Sequence, residues 1–219
     1  MNRKLPELIC ITGVDGSGKT SLTNWLIEYL ESQDYKVSSV WSRFNNILSK
    51  PLLALTRLTG HNHRSEIDGI KYGFHDFEKL YIYREIFALL QGVDTNIAAY
   101  TRITKKKRSF DCLICGRSPW DTLVDVIVDT GLENLIHKWM AGLYLKQVRG
   151  KSLVLFIDRD YEKITACRSE LIHDYKMEKK IDTYRRIAKK EEWQVINNNG
   201  SLEDTKNQII KLLAQYKKQ

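Results

Sequence analysis

Residues 13–20 read Gly13-Val14-Asp15-Gly16-Ser17-Gly18-Lys19-Thr20, the pattern G-x-x-x-x-G-K-T. The apolar run before it, "LICIT" at 8–12, reads as a buried strand. The segment after it places Leu22, Trp25, Leu26, Tyr29 and Leu30 at helical spacing. A glycine-rich turn between a strand and a helix is the context in which this pattern binds phosphate. Gly13, Gly16 and Gly18 permit backbone angles that turn successive N–H groups inward as a nest for an anion. The helix beginning near Lys19 adds its positive end. The expected ligand is a nucleoside triphosphate. Lys19 would reach its β- and γ-phosphates, the Thr20 hydroxyl would bind Mg²⁺, and Val14, Asp15, Ser17 and Ser21 complete the donor site.

Working outward, four more short apolar runs read as strands: 36–41, 111–115, 152–158 and 193–197. Most are continuous rather than alternating, as strands buried on both faces require. Helical segments separate them, including a long one expected from about 76 to 103. A final helix begins at Ser201, with Asp204 as its capping partner. Alternation of this kind predicts a three-layer α/β fold around a parallel sheet with right-handed crossovers. With 219 residues and no linker or repeat, one domain over 1–219 is the simplest division.

Composition narrows the class. The net charge of +8 suits phosphorylated molecules, acidic lipid or nucleic acid alike. Lys105-Lys106-Lys107-Arg108 reads as a solvated turn. No apolar run is long enough to span a bilayer. The N-terminus is basic, then apolar, but its apolar part is too short for a secretory signal and no cleavage site follows. The expectation is a cytoplasmic protein whose four cysteines, Cys10, Cys112, Cys115 and Cys167, are buried and reduced. Cys112 and Cys115 form one C-x-x-C pair with no second pair to complete a zinc site.

A phosphate loop serves many chemistries. The absence of N-K-x-D argues against a GTPase, and there is no room for a second motor domain. Arginines at strand ends favour a small-molecule kinase. Arg43 follows the second strand run and Arg117 the third, where ligands of parallel sheets gather. Their planar forks of donors suit phosphate.

With these residues in view, the chain resembles the thymidylate kinase family, in particular its divergent thymidylate-kinase-like branch. The resemblance lies in "GVDGSGKT", "LICGRSPWDTLVDV", "FIDRDYEKITACRSE" with "KIDTYRRIAKK", and the closing "WQVINNNGSLEDTKNQIIKLL". It implies a five-stranded sheet in the order 2-3-1-4-5, a lid at about 160–185, and a homodimer. It further implies Mg²⁺-dependent transfer from ATP to a nucleoside monophosphate, with dTMP the expected acceptor. No nucleic acid or membrane partner is expected. The catalytic residues would be Lys19, Arg117 and Asp15. Asp15 would bond the acceptor sugar, Arg43 and Arg117 its phosphate, and Phe74 or Phe77 would stack on its base from a third helical segment. Arg168 would approach the donor from the lid.

The family's D-R pair reads Gly116-Arg117 here, so a carboxylate is missing. Its Y-Q pair is also absent. Asp121 and Asp125 share a helical face and either is a candidate replacement. Two further readings therefore stay open: a kinase for another acceptor, and an ATP-binding regulator without transfer activity.

Overall fold

A computed structural model describes residues 5–42, 46–58, 62–67, 70–75, 77 and 80–216, without the side chains of 57, 62–67 and 70–75. Strand β1 (Leu8–Thr12) is buried at every position. It pairs in parallel with β5 (Cys112–Arg117) on one side and β6 (Leu153–Asp158) on the other. β2 (Val37–Trp41) and β7 (Gln194–Asn197) form the edges, giving the order β2-β5-β1-β6-β7. Numbered within the sheet alone, that is the expected 2-3-1-4-5.

Alternation within these strands divides the core. Leu8, Cys10, Leu113, Cys115, Val154 and Phe156 face one side, among buried residues of α3 (Tyr81–Ala99), α5 (Pro119–Thr130), α6 (Ala141–Leu145) and α8 (Met177–Lys190). Ile9, Ile11, Cys112, Ile114, Leu155 and Ile157 face the other, against α1 (Lys19–Glu31) and α9 (Leu202–Tyr216). Leu22, Leu26 and Leu30 are fully buried there, each worth about 1.5–3 kcal/mol by transfer. The same alternation puts Cys112 and Cys115 on opposite faces, so they cannot share a metal.

The remaining elements are α2 (Lys50–Leu58), the hairpin strands β3 (Asn62–Ile67) and β4 (Ile70–His75), a π turn at Tyr100–Thr104, α4 (Lys105–Lys107), a 3₁₀ turn at Leu135–His137, α7 (Tyr161–Cys167) and a 3₁₀ turn at Ser169–His173. The region expected as lid is thus α7, the second 3₁₀ turn and the first half of α8.

Helix α5 shows how local chemistry fixes an element. Ser118 caps it, its Oγ accepting from Trp120 N at 3.2 Å, while the Asp121 carboxylate accepts from Ser118 N at 2.7 Å. Pro119 occupies the first turn, and Gly131, at φ 66°, ends the helix. Such a capping box contributes about 1 kcal/mol. At α9, Asp204 N donates to Ser201 Oγ at 3.1 Å, the cap expected from sequence.

Four expectations need correction. Lys105–Lys107 continues the helical run as α4 and is not a turn. The long helix begins at Tyr81, not near 76, and an antiparallel hairpin, β3–β4, that ends at His75 precedes it. Phe74 therefore belongs to a strand and not to a third helical segment. Cys167 is exposed, unlike the other three cysteines.

Candidate functional site

The phosphate loop spans the C-terminal end of β1 and the first turn of α1, at the centre of the sheet. Gly13 and Gly18 have φ of 145° and 99°. A side chain at 18 would also collide: a Cβ there would lie 2.7 Å from Asn198 Nδ2. That amide donates to the Ser17 carbonyl at 2.7 Å, and its oxygen accepts from Thr205 Oγ1 at 2.8 Å. The β7–α9 turn therefore clamps the loop from beneath. From above, Ile164 and Leu171 close on Gly16.

Lys19 is buried, and its Nζ donates to the carbonyls of Gly13 and Val14 at 2.6 and 2.7 Å. It also lies 3.8 Å from Asp15 Oδ1. Asp15 is paired to the Arg117 guanidinium, which stands at the end of β5 and is largely covered. One carboxylate thus links the loop lysine to the strand-end arginine. No side chain caps α1, so its first turn presents backbone donors to an anion.

These groups line a cavity of about 480 Å³. The loop contributes Asp15, Gly16, Gly18, Lys19, Thr20 and Ser21. The opposite wall contributes Trp41, Arg117, Arg159, Cys167 and Arg168. Four cations against one carboxylate make it strongly attractive to phosphate. Thr20 is exposed in it, and its hydroxyl is a suitable single ligand for a Mg²⁺ carried by nucleotide phosphates. Among the described residues, no group of three His, Cys, Asp or Glu side chains is arranged to hold a metal ion.

Asp121 has a different place from the one expected. It is fully buried and does not line the cavity. Its carboxylate accepts from Thr12 Oγ1 at 2.9 Å, Tyr184 Oη at 2.8 Å and, weakly, Gly13 N at 3.4 Å, besides Ser118. It anchors the entrance to the loop. The Tyr184 phenol is pushed well up, by burial first and by the Asp121 charge second.

The space beside the glycine before Arg117 is narrow. A Cβ on Gly116 would lie 3.0 Å from Thr23 Oγ1 and 3.4 Å from its methyl. Thr23 on α1 would have to give by a few tenths of an ångström to admit any side chain at 116. The β2–β5 register shifts at this point, bringing Trp41 opposite Arg117.

Of the acceptor residues implied by resemblance, Asp15 and Arg117 meet in the cavity. Arg43 lies outside the described residues, as does the Phe74 side chain. Phe77 is fully buried, with its ring 4.9 Å from that of Phe87, and is a core residue. Arg168 lines the cavity, but its Nε donates to Glu170 at 2.7 Å. Trp41, Arg159 and Cys167 were not anticipated. Trp41 and Arg159 stand at or just beyond strand ends, so the rule that singles out Arg117 would have found both.

No protein-family model and no curated protein matches the sequence.

Proposed function

We propose that the protein is an ATP-dependent nucleoside monophosphate kinase of thymidylate-kinase type. The observation that carries this reading is the meeting of the phosphate loop and Arg117 in one cationic cavity, with Asp15 between them. The loop and Lys19 take the donor phosphates, and Thr20 with those phosphates holds Mg²⁺. Arg117 takes the acceptor phosphate. Trp41, with 60% of its surface exposed on the cavity wall, offers a flat apolar face to the acceptor base. In transfer, an acceptor phosphate oxygen gives its electron pair to the γ-phosphorus, and the bridging bond breaks with its pair remaining on ADP. Charge balances without proton transfer, so positioning and fixed positive charge are the main requirements. dTMP is the acceptor favoured by the resemblance.

A second reading rests on Gly116. With the family's carboxylate missing there, an ATP-binding regulator without transfer, or a kinase for another small acceptor, is the alternative. Coupled-assay turnover with a panel of nucleoside monophosphates tests all three. We expect ADP production with at least one acceptor, and Lys19→Ala to abolish it and weaken Mg-ATP in calorimetry. Equal ATP affinity in Lys19→Ala and parent would overturn the donor site. Tight ATP binding without turnover on any acceptor would favour the regulator.

The same reading includes a homodimer and a cytoplasmic setting. Tyr81, Ile82, Ile86, Ile97 and Tyr100 leave large apolar surface exposed along α3 and its extension, which supports a helix-to-helix interface. Four free cysteines suit a reducing compartment. Among the described residues, no helix is long and apolar enough to cross a membrane.

A further inference from the structure

The cations of the cavity differ in what they are bound to. Lys19 donates to two loop carbonyls. Arg117 is paired with Asp15, and Arg168 with Glu170. Arg159, just beyond β6, is different: among the described residues no carboxylate pairs with it. Its flanking acids are already engaged, since Arg185 donates to Asp158 at 3.0 Å and to Asp160 at 2.7 Å. The Arg159 guanidinium instead reaches back over the loop. One terminal nitrogen donates to the Gly16 carbonyl at a long 3.3 Å, and the other points to the Cys167 thiol at 3.0 Å. Its Nε is buried with no partner.

A guanidinium held against a phosphate loop by one weak carbonyl contact and one thiol is poorly satisfied. Buried donors of a charged group are costly when unmet, and a planar fork is matched best by phosphate oxygens. We infer that Arg159 is the arginine that binds the terminal phosphates of the donor, supplied in cis by the turn after β6. The role falls to this side chain rather than to Arg168, whose guanidinium is tied to Glu170. The inference rests on the proposed nucleotide reading only for the identity of the donor. The ligand chemistry it requires is a polyphosphate.

The test is calorimetric titration of Mg-ATP and of inorganic tripolyphosphate into the parent, Arg159→Ala, Arg159→Lys and Arg168→Ala. Loss of one charge-assisted contact predicts that Arg159→Ala weakens both ligands by about 10- to 100-fold. Lysine should recover part of the loss, and Arg168→Ala should lose less. A purely structural contact to Gly16 would instead lower the melting temperature and show no rescue by lysine, overturning the inference. Affinities within twofold of the parent in Arg159→Ala, or an equal or larger loss in Arg168→Ala, would also overturn it. If the parent binds tripolyphosphate through Arg159 but not Mg-ATP, the inference stands and the ATP reading falls. If the parent binds neither, both fall.

Discussion

Lys19 already donates to two carbonyls of its own loop, so an incoming phosphate must compete for donors that are in use. The loop's backbone shape, not the lysine alone, therefore decides the resting geometry. Gly116 is the second informative residue. Its missing side chain reads in the sequence as a lost functional group, whereas in the fold it is also a packing matter, because Thr23 stands 3.0 Å from any Cβ. We expect Gly116→Asp alone to destabilise by about 1–3 kcal/mol through overpacking. Thr23→Ala in the same chain should recover much of that. Chemical denaturation of the two single variants and the double variant measures the coupling, and additive effects would refute it. Asp121 illustrates the limit of spacing arguments. Its face was readable from i, i+4 periodicity, but only the fold shows that Thr12, Ser118 and Tyr184 take up its oxygens.

Helices α5 and α8 are joined along a charged seam. Asp121, Asp125 and Asp129 recur every four residues on α5, facing Tyr184, Lys180 and Lys176 on or just before α8. Asp121 accepts from Tyr184 at 2.8 Å and Asp129 from Lys176 at 3.2 Å. Lys180 pairs with Asp174 at 2.7 Å. Burial would lower the Lys180 ammonium, but the charges of Asp125 and Asp174 raise it instead. Burial pushes the Asp129 carboxyl up to about 6, against the Lys176 charge that lowers it. An acid raised in the folded state binds its proton more tightly there than in the unfolded chain. Its contribution to stability is therefore greatest below about pH 4 and is lost as pH rises through 6. Asp129→Asn should flatten the melting-temperature profile between pH 4 and 7, and a profile unchanged from the parent would refute the assignment. In the same layer, α3 leaves large apolar side chains exposed. Ile82→Asp with Ile86→Asp should turn a dimer into a monomer by light scattering while leaving the fold intact, and a parent that is itself monomeric would remove that interface.

Across the whole molecule, the five sheet strands lie within a residue or two of their sequence positions: the central β1, β5 and β6 are near-continuous apolar runs because they are covered on both faces, while the edge strands β2 and β7 are partly exposed and mix polar with apolar residues. The hairpin was missed although its signal was present. "NHRSEI" and "IKYGFH" are separated by Asp68-Gly69 in the sequence, a dipeptide favoured in two-residue hairpin turns; the polar content of the strands concealed it. Arg159, between two aspartates, reads as one more solvated charge until Arg185 is seen to engage its neighbours. The clamp from Asn198 to Ser17 spans 181 residues, and it sets an order of events during synthesis. The phosphate loop leaves the ribosome well before one of its supports is made. At a typical 5–20 residues per second the nascent chain waits on the order of ten seconds or more between the two. If the loop binds ATP as proposed, nascent chains that stop short of residue 193 should not be retained on an immobilised ATP resin that retains chains extending through α9; equal retention would show that the loop needs no late support. Competence to bind a phosphate ligand would then serve as a report that translation has passed α9.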